Sequence, residues 1–264
     1  MCGIRSWALS PGSDAPRPVR MVEGMTTSNY QPLHLDWPGL VNARDLGGLP
    51  LEDGHVREGA LIRSESLTRL DQGGVEALRE AGVSRVLDLR RPGESPDPHP
   101  FADDETTYVN LPVEDPADIK RHAGPMVDLY LDMVDARPEL FAAAVAAIAD
   151  APPGAVVVHC AGGKDRTGLV TALALSLAGA EKEVVAADYA LTEERLEPLM
   201  REHLAKIVDE ATREQLREYQ STPATNMLIV LDHLEEKHGT VEAYLLSGGL
   251  TGEQVKALRE RLVG

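Results

Sequence analysis

The feature that most constrains the fold is a short apolar run that leads directly into a glycine-containing loop. Residues 155–158 read Ala-Val-Val-Val, a pattern typical of a strand buried on both faces of a sheet. Beyond the loop, Leu169, Leu173 and Leu177 recur at helical spacing, and Gly179 ends that helix. The connecting residues are His159, Cys160, Ala161, Gly162, Gly163, Lys164, Asp165, Arg166, Thr167 and Gly168. A strand, a tight loop and a helix in this order predict the central unit of an α/β fold.

Patterns elsewhere in the chain predict further strands and helices around this unit. Short apolar runs predict strands over residues 60–63, 83–89 and 107–111. Thr222 is expected to be the N-cap of a helix that begins at Pro223. Thr251 and Gln254 have the spacing of a capping box. We therefore expect an α/β sandwich with a largely parallel central sheet flanked by helices.

Residues 160–166, called the cysteine loop below, have the composition of an anion-binding site. A loop that enters a helix directs several backbone N–H groups at one point, and the helix dipole adds positive potential there. Gly162 and Gly163 allow the backbone to curl around a tetrahedral anion. Arg166, six residues after Cys160, can offer two parallel hydrogen bonds to phosphate oxygens. The remaining members of the predicted cradle are Ala161, Lys164 and Thr167.

Cys160 is the predicted nucleophile of this site. The positive field that attracts an anion also favours the thiolate form of the cysteine. In-line attack on a phosphate ester would form a cysteinyl-phosphate intermediate, which water then hydrolyses. Thr167 is expected to donate its hydroxyl toward the sulfur, and His159 is expected to order the loop rather than to act as a base.

Two other interpretations of the loop are weaker. A lone buried cysteine is usually a small hydrophobic residue, but here the glycines, lysine, arginine and threonine follow it in a fixed order after a strand. A nucleotide-binding Walker A loop would need glycine at position 158 and serine or threonine at position 165. The chain has Val158 and Asp165 there, so we exclude a Walker A loop.

Charge and cysteine content limit the partners and the compartment. The net charge of −17 disfavours nucleic acid and anionic membranes as partners. Cys2 and Cys160 are a poor candidate for a structural disulfide, so a reducing cytoplasm is expected. The N-terminus lacks the apolar run of a secretory signal, and no stretch approaches the ~20 apolar residues of a membrane span. We predict no integral membrane association and no nucleic-acid partner.

We predict one folded domain preceded by a tail. Residues 1–30 are rich in Pro, Gly, Ser and Arg and are expected to be disordered, with Met21 and Met25 as alternative starts. Residues 31–264 contain no linker-like break and are expected to form a single domain. Within it, residues 181–220 are charged and helix-prone, which fits either peripheral solvated helices or a mobile lid over the site.

Several segments of the chain resemble one known family. The loop matches the His-Cys-x5-Arg-(Ser/Thr) signature of the cysteine-phosphatase superfamily. It resembles more closely the His-Cys-x-x-Gly-Lys-Asp-Arg-Thr-Gly loop of bacterial atypical tyrosine and dual-specificity phosphatases. The other similar segments are residues 42–48, 56–59, 61–64, 88–90 with Glu94, and 241–245. The resemblance extends over nearly all of residues 33–264.

This resemblance implies a cysteine-phosphatase-like sandwich and a mechanism that uses neither a metal nor another cofactor. The implied substrate is a phosphotyrosine-containing protein, often with phosphoserine, phosphothreonine and phosphoinositides in addition. Lys164 occupies a position where phosphoinositide phosphatases of the superfamily often carry a lysine, which can pair with a second phosphate; the alternative is a solvated surface lysine. A dedicated phosphoinositide or inositol-phosphate phosphatase is a second hypothesis. A non-catalytic phosphate-binding module is a third, and the intact Cys160 and Arg166 argue against it.

Asp165 is the predicted general acid, because the resembling bacterial group and myotubularin-type lipid phosphatases have an aspartate at this place in the loop. Ordinary tyrosine phosphatases use a Trp-Pro-Asp loop, but Trp37-Pro38-Gly39 lacks the carboxylate and is treated as an accidental match. Rival carboxylates in other loops are Asp97, Asp103, Asp104, Asp115 and Asp118.

Four charged residues are predicted to support the site. Asp88, at the end of an apolar strand, is expected to pair with Arg44 or Arg90, because buried carboxylates persist through such pairing. Arg63 lies within one of the segments that carry the family resemblance. Substitution of Asp88 is expected to damage folding as much as rate.

Overall fold

A computed structural model describes residues 30–95, 97–104, 107–114 and 124–264. The predicted tail lies outside these residues except for Tyr30, and so do the rival carboxylates Asp115 and Asp118. Within the described residues, no helix combines the length and the apolar character needed to cross a membrane.

The strands form one six-stranded sheet and one separate hairpin. In chain order the described strands are β1 (Leu33–His34), β2 (Arg44–Asp45), β3 (Pro50–Leu51), β4 (Gly54–His55), β5 (Leu61–Ser64), β6 (Val83–Asp88), β7 (Tyr108–Asn110) and β8 (Ala155–His159). The large sheet has the order β1-β2-β5-β8-β6-β7, and β3 pairs with β4 in the hairpin. Strands β5, β8, β6 and β7 are parallel, while β1 and β2 join antiparallel at one edge. The predicted largely parallel central sheet is confirmed.

The helices surround this sheet. In chain order the described α-helices are α1 (Gln72–Glu80), α2 (Met126–Ala136), α3 (Pro138–Ala149), α4 (Asp165–Leu177), α5 (Lys182–Ala205), α6 (Glu210–Gln220), α7 (Ala224–His238), α8 (Val241–Ser247) and α9 (Gly252–Leu262). A short 3-10 helix, Leu67–Arg69, follows β5. The Thr251–Gln254 capping box at the start of α9 is confirmed.

Strand β8 lies at the centre of the sheet, and all five of its residues are buried. Val156 and Val158 face the larger core, which also includes the buried side of α4. Val157 faces the opposite side and packs with Ile62 and Val86 in a smaller core. Burial on both faces explains why β8 is a continuous apolar run rather than an alternating one.

The register of the parallel strands places the polar residues that follow them at one edge. His159, at the end of β8, lies beside Ser64 of β5 and Asp88 of β6. Since parallel strands end at the same side of a sheet, the cysteine loop begins between the ends of its two neighbours. This edge therefore holds the candidate site.

The structure corrects the predicted cap of α7. The helix begins at Ala224 with Pro223 as its N-cap and no side-chain cap bond. The Thr222 hydroxyl instead accepts a hydrogen bond from the Glu193 N–H at 3.0 Å and donates to the Ala190 carbonyl at 3.1 Å. Thr222 joins α7 to α5 because α5 lies within reach of it, a contact that local spacing does not encode.

The structure also divides the segment 181–220, which the sequence presents as one charged stretch. Helix α5 runs without a break through Pro198. Its first half is core, with Val184, Val185, Asp188 and Tyr189 buried. Within this segment, the second half of α5 and the whole of α6 are largely exposed. A lid could therefore include residues 193–220 but not the buried first half of α5.

Candidate active site

The cysteine loop turns sharply between β8 and α4. Cys160 is a free, buried cysteine directly after β8. Gly163 has φ of 66°, and a Cβ there would lie 2.4 Å from the Ser64 carbonyl oxygen, so only glycine fits. A Cβ on Gly162 would meet nothing closer than 3.9 Å. The close approach of the cysteine loop to β5 therefore requires glycine at position 163 but not at position 162.

Three residues from other segments hold the carbonyl groups of the loop. The Ser66 N–H donates to the Ala161 carbonyl at 3.0 Å. The Asn42 side chain donates to the Gly162 carbonyl at 3.0 Å, and Arg63 donates to the Gly163 carbonyl at 2.9 Å.

These tethers decide which way the loop's N–H groups point. Within one planar peptide the C=O and N–H bonds point in opposite directions. Carbonyl groups tethered on the outside of the turn therefore direct the following N–H groups toward its inside, where they can bind an anion.

Arg63 belongs to a buried ionic network that also contains Arg44 and Asp188. Arg44 Nε lies 2.9 Å from Asp188 Oδ1, and Arg63 NH1 lies 2.6 Å from Asp188 Oδ2. Burial pushes the pKa of Asp188 upward, but the charges and hydrogen bonds of both arginines outweigh it and lower the pKa. The Asp188 carboxylate also joins β2 and β5 to α5. The predicted supporting residues Arg44 and Arg63 are thus held in place by Asp188, which was not predicted from the sequence.

Asp88 pairs with Arg90, one of the two partners predicted for it. Arg90 NH2 lies 2.7 Å from Asp88 Oδ2, and Tyr108 donates its hydroxyl to the same oxygen at 3.0 Å. Burial raises the pKa of Asp88, but the hydrogen bonds and charge of Arg90 outweigh it, so the net direction is downward. Arg90 also donates to the Ser66 hydroxyl at 2.8 Å, which connects this pair to the segment that holds the loop.

His159 lies beneath the loop in a fixed orientation. Its Nδ1 is 3.2 Å from the Cys160 carbonyl, and its Nε2 is 3.1 Å from His99 Nε2. The Phe101 N–H donates to His99 Nδ1, which makes Nε2 the protonated nitrogen of His99. His159 then accepts at Nε2 and donates from Nδ1 to the loop. Burial lowers the pKa of His159 to about 4, so it is neutral at pH 7, as expected of an ordering residue rather than a base.

Asp88, His99 and His159 are also close enough together to be considered as metal ligands, with donor atoms within 4.8 Å of one another. Their hydrogen bonds already account for the donor atoms. His99 Nε2 carries the proton of the histidine pair, and both oxygens of Asp88 are held by Arg90. The Arg90 guanidinium already binds the Asp88 carboxylate, and its positive charge would repel a metal ion there. These three residues therefore do not fit a metal centre.

Arg166 is held by two carboxylates. Its NH1 and NH2 lie 2.7 and 2.6 Å from the two oxygens of Glu94, and NH1 is also 3.2 Å from Glu114. Burial lowers the pKa of Arg166, but the Glu94 hydrogen bonds and the surrounding negative charge raise it more strongly. Arg91 lies 3.4 Å from Glu94 and 3.3 Å from Glu114, which balances part of the acidic charge.

Lys164 is buried, which contradicts its interpretation as a solvated surface lysine. Its Nζ donates to the Tyr219 carbonyl at 2.7 Å and lies 5.2 Å from the centre of the Tyr219 ring. It also lies 3.3 Å from Asp165 Oδ1. Helix α6, which carries Tyr219, is thus in direct contact with the loop.

Asp165 is the first residue of α4, and its side chain is 29% exposed. The Tyr130 hydroxyl donates to its Oδ1. Thr167, the third residue of α4, is buried, and its hydroxyl has no hydrogen-bond partner among the described residues. A buried hydroxyl without a partner is available to a group that binds in the site.

The structure brings the predicted site residues together at one edge of the sheet. Asp97, Asp103 and Asp104 are exposed, and Asp104 accepts hydrogen bonds that close its own turn. Trp37 is a buried core residue, which agrees with an accidental Trp-Pro match. Six residues that hold the site were not predicted from the sequence: Asn42, Ser66, Glu114, Tyr130, Asp188 and Tyr189. Only Asn42 had a signal, since it begins a segment with family resemblance.

Comparison with known proteins finds relatives along most of the chain. The model of the tyrosine phosphatase family matches residues 35–264. A tyrosine-protein phosphatase of Nostoc commune is 27% identical over 99% of this chain and 95% of its own length. The triple specificity protein phosphatase PtpB of Mycobacterium tuberculosis is 26% identical over 86% of this chain and 98% of its own length. A putative tyrosine-protein phosphatase of Cupriavidus necator is 30% identical over 58% of this chain and 61% of its own length.

Proposed function

Because this chain belongs to the tyrosine phosphatase family and is a protein-tyrosine phosphatase, we propose that Cys160 is the nucleophile that attacks its phosphate ester substrates. The observation that carries the proposal is the tethering of three successive loop carbonyls by Ser66, Asn42 and Arg63. The loop N–H groups can then surround three phosphate oxygens above the sulfur. This arrangement stabilises the charge of the ester and of the transition state in a prearranged site.

In the first step the Cys160 thiolate attacks phosphorus in line with the leaving oxygen. The S–P bond forms while the P–O bond to the substrate breaks, and Asp165 gives its proton to the departing oxygen. Arg166 and the loop N–H groups bind the equatorial oxygens through this step. The exposed part of the Asp165 side chain supports this role, because the acid must face the site rather than the core.

In the second step water hydrolyses the cysteinyl-phosphate. Asp165, now a carboxylate, takes a proton from the attacking water, and the S–P bond breaks as phosphate leaves. The buried Thr167 hydroxyl is well placed by sequence, seven residues after Cys160, to donate to the departing sulfur. The mechanism needs neither a metal nor a cofactor.

The test is hydrolysis of an aryl phosphate in the presence of a chelator by the full chain and three variants. We expect Cys160→Ser to abolish turnover while inorganic phosphate still binds. Asp165→Asn should reduce the rate mainly for esters with poor leaving groups, whereas Asp115→Asn should leave that dependence unchanged. An active Cys160→Ser variant would refute the nucleophile. A selective effect of Asp115→Asn alone would assign the acid to Asp115, and a folded but inert wild type would indicate a binding module.

We further propose activity on phosphoserine, phosphothreonine and phosphoinositides. The printed name of the Mycobacterium tuberculosis relative, a triple specificity phosphatase, supports this breadth. Lys164 supplies a cation from within the cysteine loop for a second phosphate once its contact with Tyr219 is released. Lys164→Met should then reduce phosphoinositide hydrolysis more than phosphotyrosine hydrolysis. Equal losses of phosphoinositide and phosphotyrosine hydrolysis would show that Lys164 has no special role in lipid recognition. Strong activity of the wild type on inositol phosphates alone would favour a dedicated phosphoinositide or inositol-phosphate phosphatase.

We also propose that residues 193–220 form a lid. A cavity of about 670 Å³ separates α5 from α6 and is lined by Leu196, Met200, Leu204, Arg213 and Arg217 among others. Leu196 reaches within 3.9 Å of a Cβ placed on Gly162, so α5 also approaches the loop. Tyr219→Ala should increase kcat/KM for phosphopeptides more than for a small aryl phosphate, and equal changes would argue against a lid.

A cytoplasmic location remains a prediction from the cysteine content.

A further inference from the structure

Asp165 stands at the end of a buried chain of hydroxyl groups that the phosphatase mechanism does not use. Tyr130, on α2, donates its hydroxyl to Asp165 Oδ1. The Tyr189 hydroxyl, on α5, is 2.8 Å from the Tyr130 hydroxyl, and the Asn226 side chain on α7 hydrogen-bonds to Tyr189. Three helices thus converge through hydrogen bonds on one carboxylate.

The direction of this chain follows from its chemistry. Both tyrosines are buried and neutral, since burial raises the pKa of Tyr189 to about 12 and raises the pKa of Tyr130 still further. Tyr130 has one hydroxyl hydrogen, and it uses that hydrogen in the hydrogen bond to Asp165. In its contact with Tyr189, Tyr130 must therefore be the acceptor and Tyr189 the donor. Tyr189 in turn accepts from the Asn226 amide. Every hydroxyl proton points toward Asp165.

This direction distinguishes the two oxygens of Asp165. Oδ1 accepts from Tyr130 and also lies 3.3 Å from Lys164 Nζ. A proton on Oδ1 would face two donors, which is electrostatically unfavourable. The proton that Asp165 exchanges must therefore reside on Oδ2.

We infer that Tyr130 is a positioning residue that fixes the side chain of Asp165 and confines its proton transfer to Oδ2. The inference rests on the acid and base role proposed above for Asp165. In the first step the proton leaves Oδ2 for the leaving oxygen as the P–O bond breaks. In the second step Oδ2 takes a proton from the attacking water as the S–P bond breaks. Tyr130 keeps its own proton throughout.

The test is Tyr130→Phe, which removes the hydroxyl and keeps the ring. Loss of a hydrogen bond to a charged group should reduce kcat for poor leaving groups about tenfold. Aryl phosphates with good leaving groups need little protonation and should react at nearly the wild-type rate. Competitive inhibition by inorganic phosphate should be unchanged, because the cysteine loop is untouched. A buried tyrosine remote from the loop, Tyr244, which donates to the Val134 carbonyl, offers Tyr244→Phe as the matched control.

A double-mutant cycle separates this inference from the proposed function. In an Asp165→Asn background, Tyr130→Phe should have almost no further effect on the leaving-group dependence. If Asp165→Asn itself had no effect, the proposed acid would fail. If Asp165→Asn slowed the reaction but Tyr130→Phe did not, or slowed it equally in both backgrounds, the positioning role alone would be overturned. Should Tyr130→Phe fail to fold, Tyr189→Phe tests the same chain, and an unchanged leaving-group dependence would contradict it.

Discussion

The two oxygens of Glu94 bind the two terminal nitrogens of Arg166, at 2.7 and 2.6 Å. The bidentate pair fixes the plane of the guanidinium that is proposed to bind phosphate. Glu94 thus belongs to the site, although it lies in the loop after β6 and is distant in sequence from Cys160.

The first prediction concerns this pair. Glu94→Gln should reduce kcat/KM about 10- to 100-fold, because a hydrogen bond to a charged group contributes about 1.5–3 kcal/mol. Most of the loss should appear in KM and in the affinity for inorganic phosphate, since the guanidinium loses its orientation. Steady-state kinetics on an aryl phosphate measures both. An increase in phosphate affinity would instead mean that Glu94 competes with the substrate.

The second prediction compares the two adjacent glycines of the loop. Gly163→Ala should reduce kcat/KM by at least about 100-fold, since a positive φ and the contact with Ser64 would force the cradle apart. Gly162→Ala is the matched control, because its Cβ would have room, and it should keep most of the activity. Similar losses in both variants would show that the approach of the loop to β5 does not limit the site.

The third prediction concerns the buried ionic network. Asp188→Asn should reduce the free energy of unfolding by about 3–5 kcal/mol, because it leaves Arg44 and Arg63 buried without a counter-charge. Chemical denaturation of the full chain measures this loss. The exposed pair of Glu197 and Arg201 provides the control Glu197→Gln, which should change stability very little. A near-neutral Asp188→Asn variant would argue that the arginines find other partners.

The fourth prediction is a loss of stability in mild acid. Burial lowers the pKa of His159 in the folded state to about 4, whereas an unfolded histidine has a pKa of about 6.5. Between these values the unfolded chain binds more protons, so the stabilisation is complete above pH 6.5 and is lost as the pH falls toward 4. His159 alone should make the folded state about 2 kcal/mol less stable at pH 5 than at pH 7.

Urea unfolding of the full chain at several pH values checks this fourth prediction. The exposed His55 offers His55→Gln as a control that should leave the pH profile as it is in the wild type. Stability that is constant between pH 7 and pH 5 would mean that His159 is protonated without cost in the folded state.

Elements with strong local patterns were predictable from sequence. Strand β8 ends within one residue of its predicted range because a wholly apolar run is determined by burial on both faces. The capping box of α9 is equally local, since its donors and acceptors are separated by three residues. Thr222 shows the limit of such reasoning, because its hydroxyl binds a neighbouring helix instead of its own.

The sequence by itself determined the composition of the cysteine loop and the chemistry proposed for it, because the proposed nucleophile, the glycines, the arginine and the aspartate lie within seven consecutive residues. Only the tertiary structure decided what holds that loop in place. Asp188 is 144 residues from Arg44, and Asn42 is 120 residues from Gly162. Such contacts depend on strand register and on the position of α5 against β2 and β5, and no local spacing along the chain specifies them.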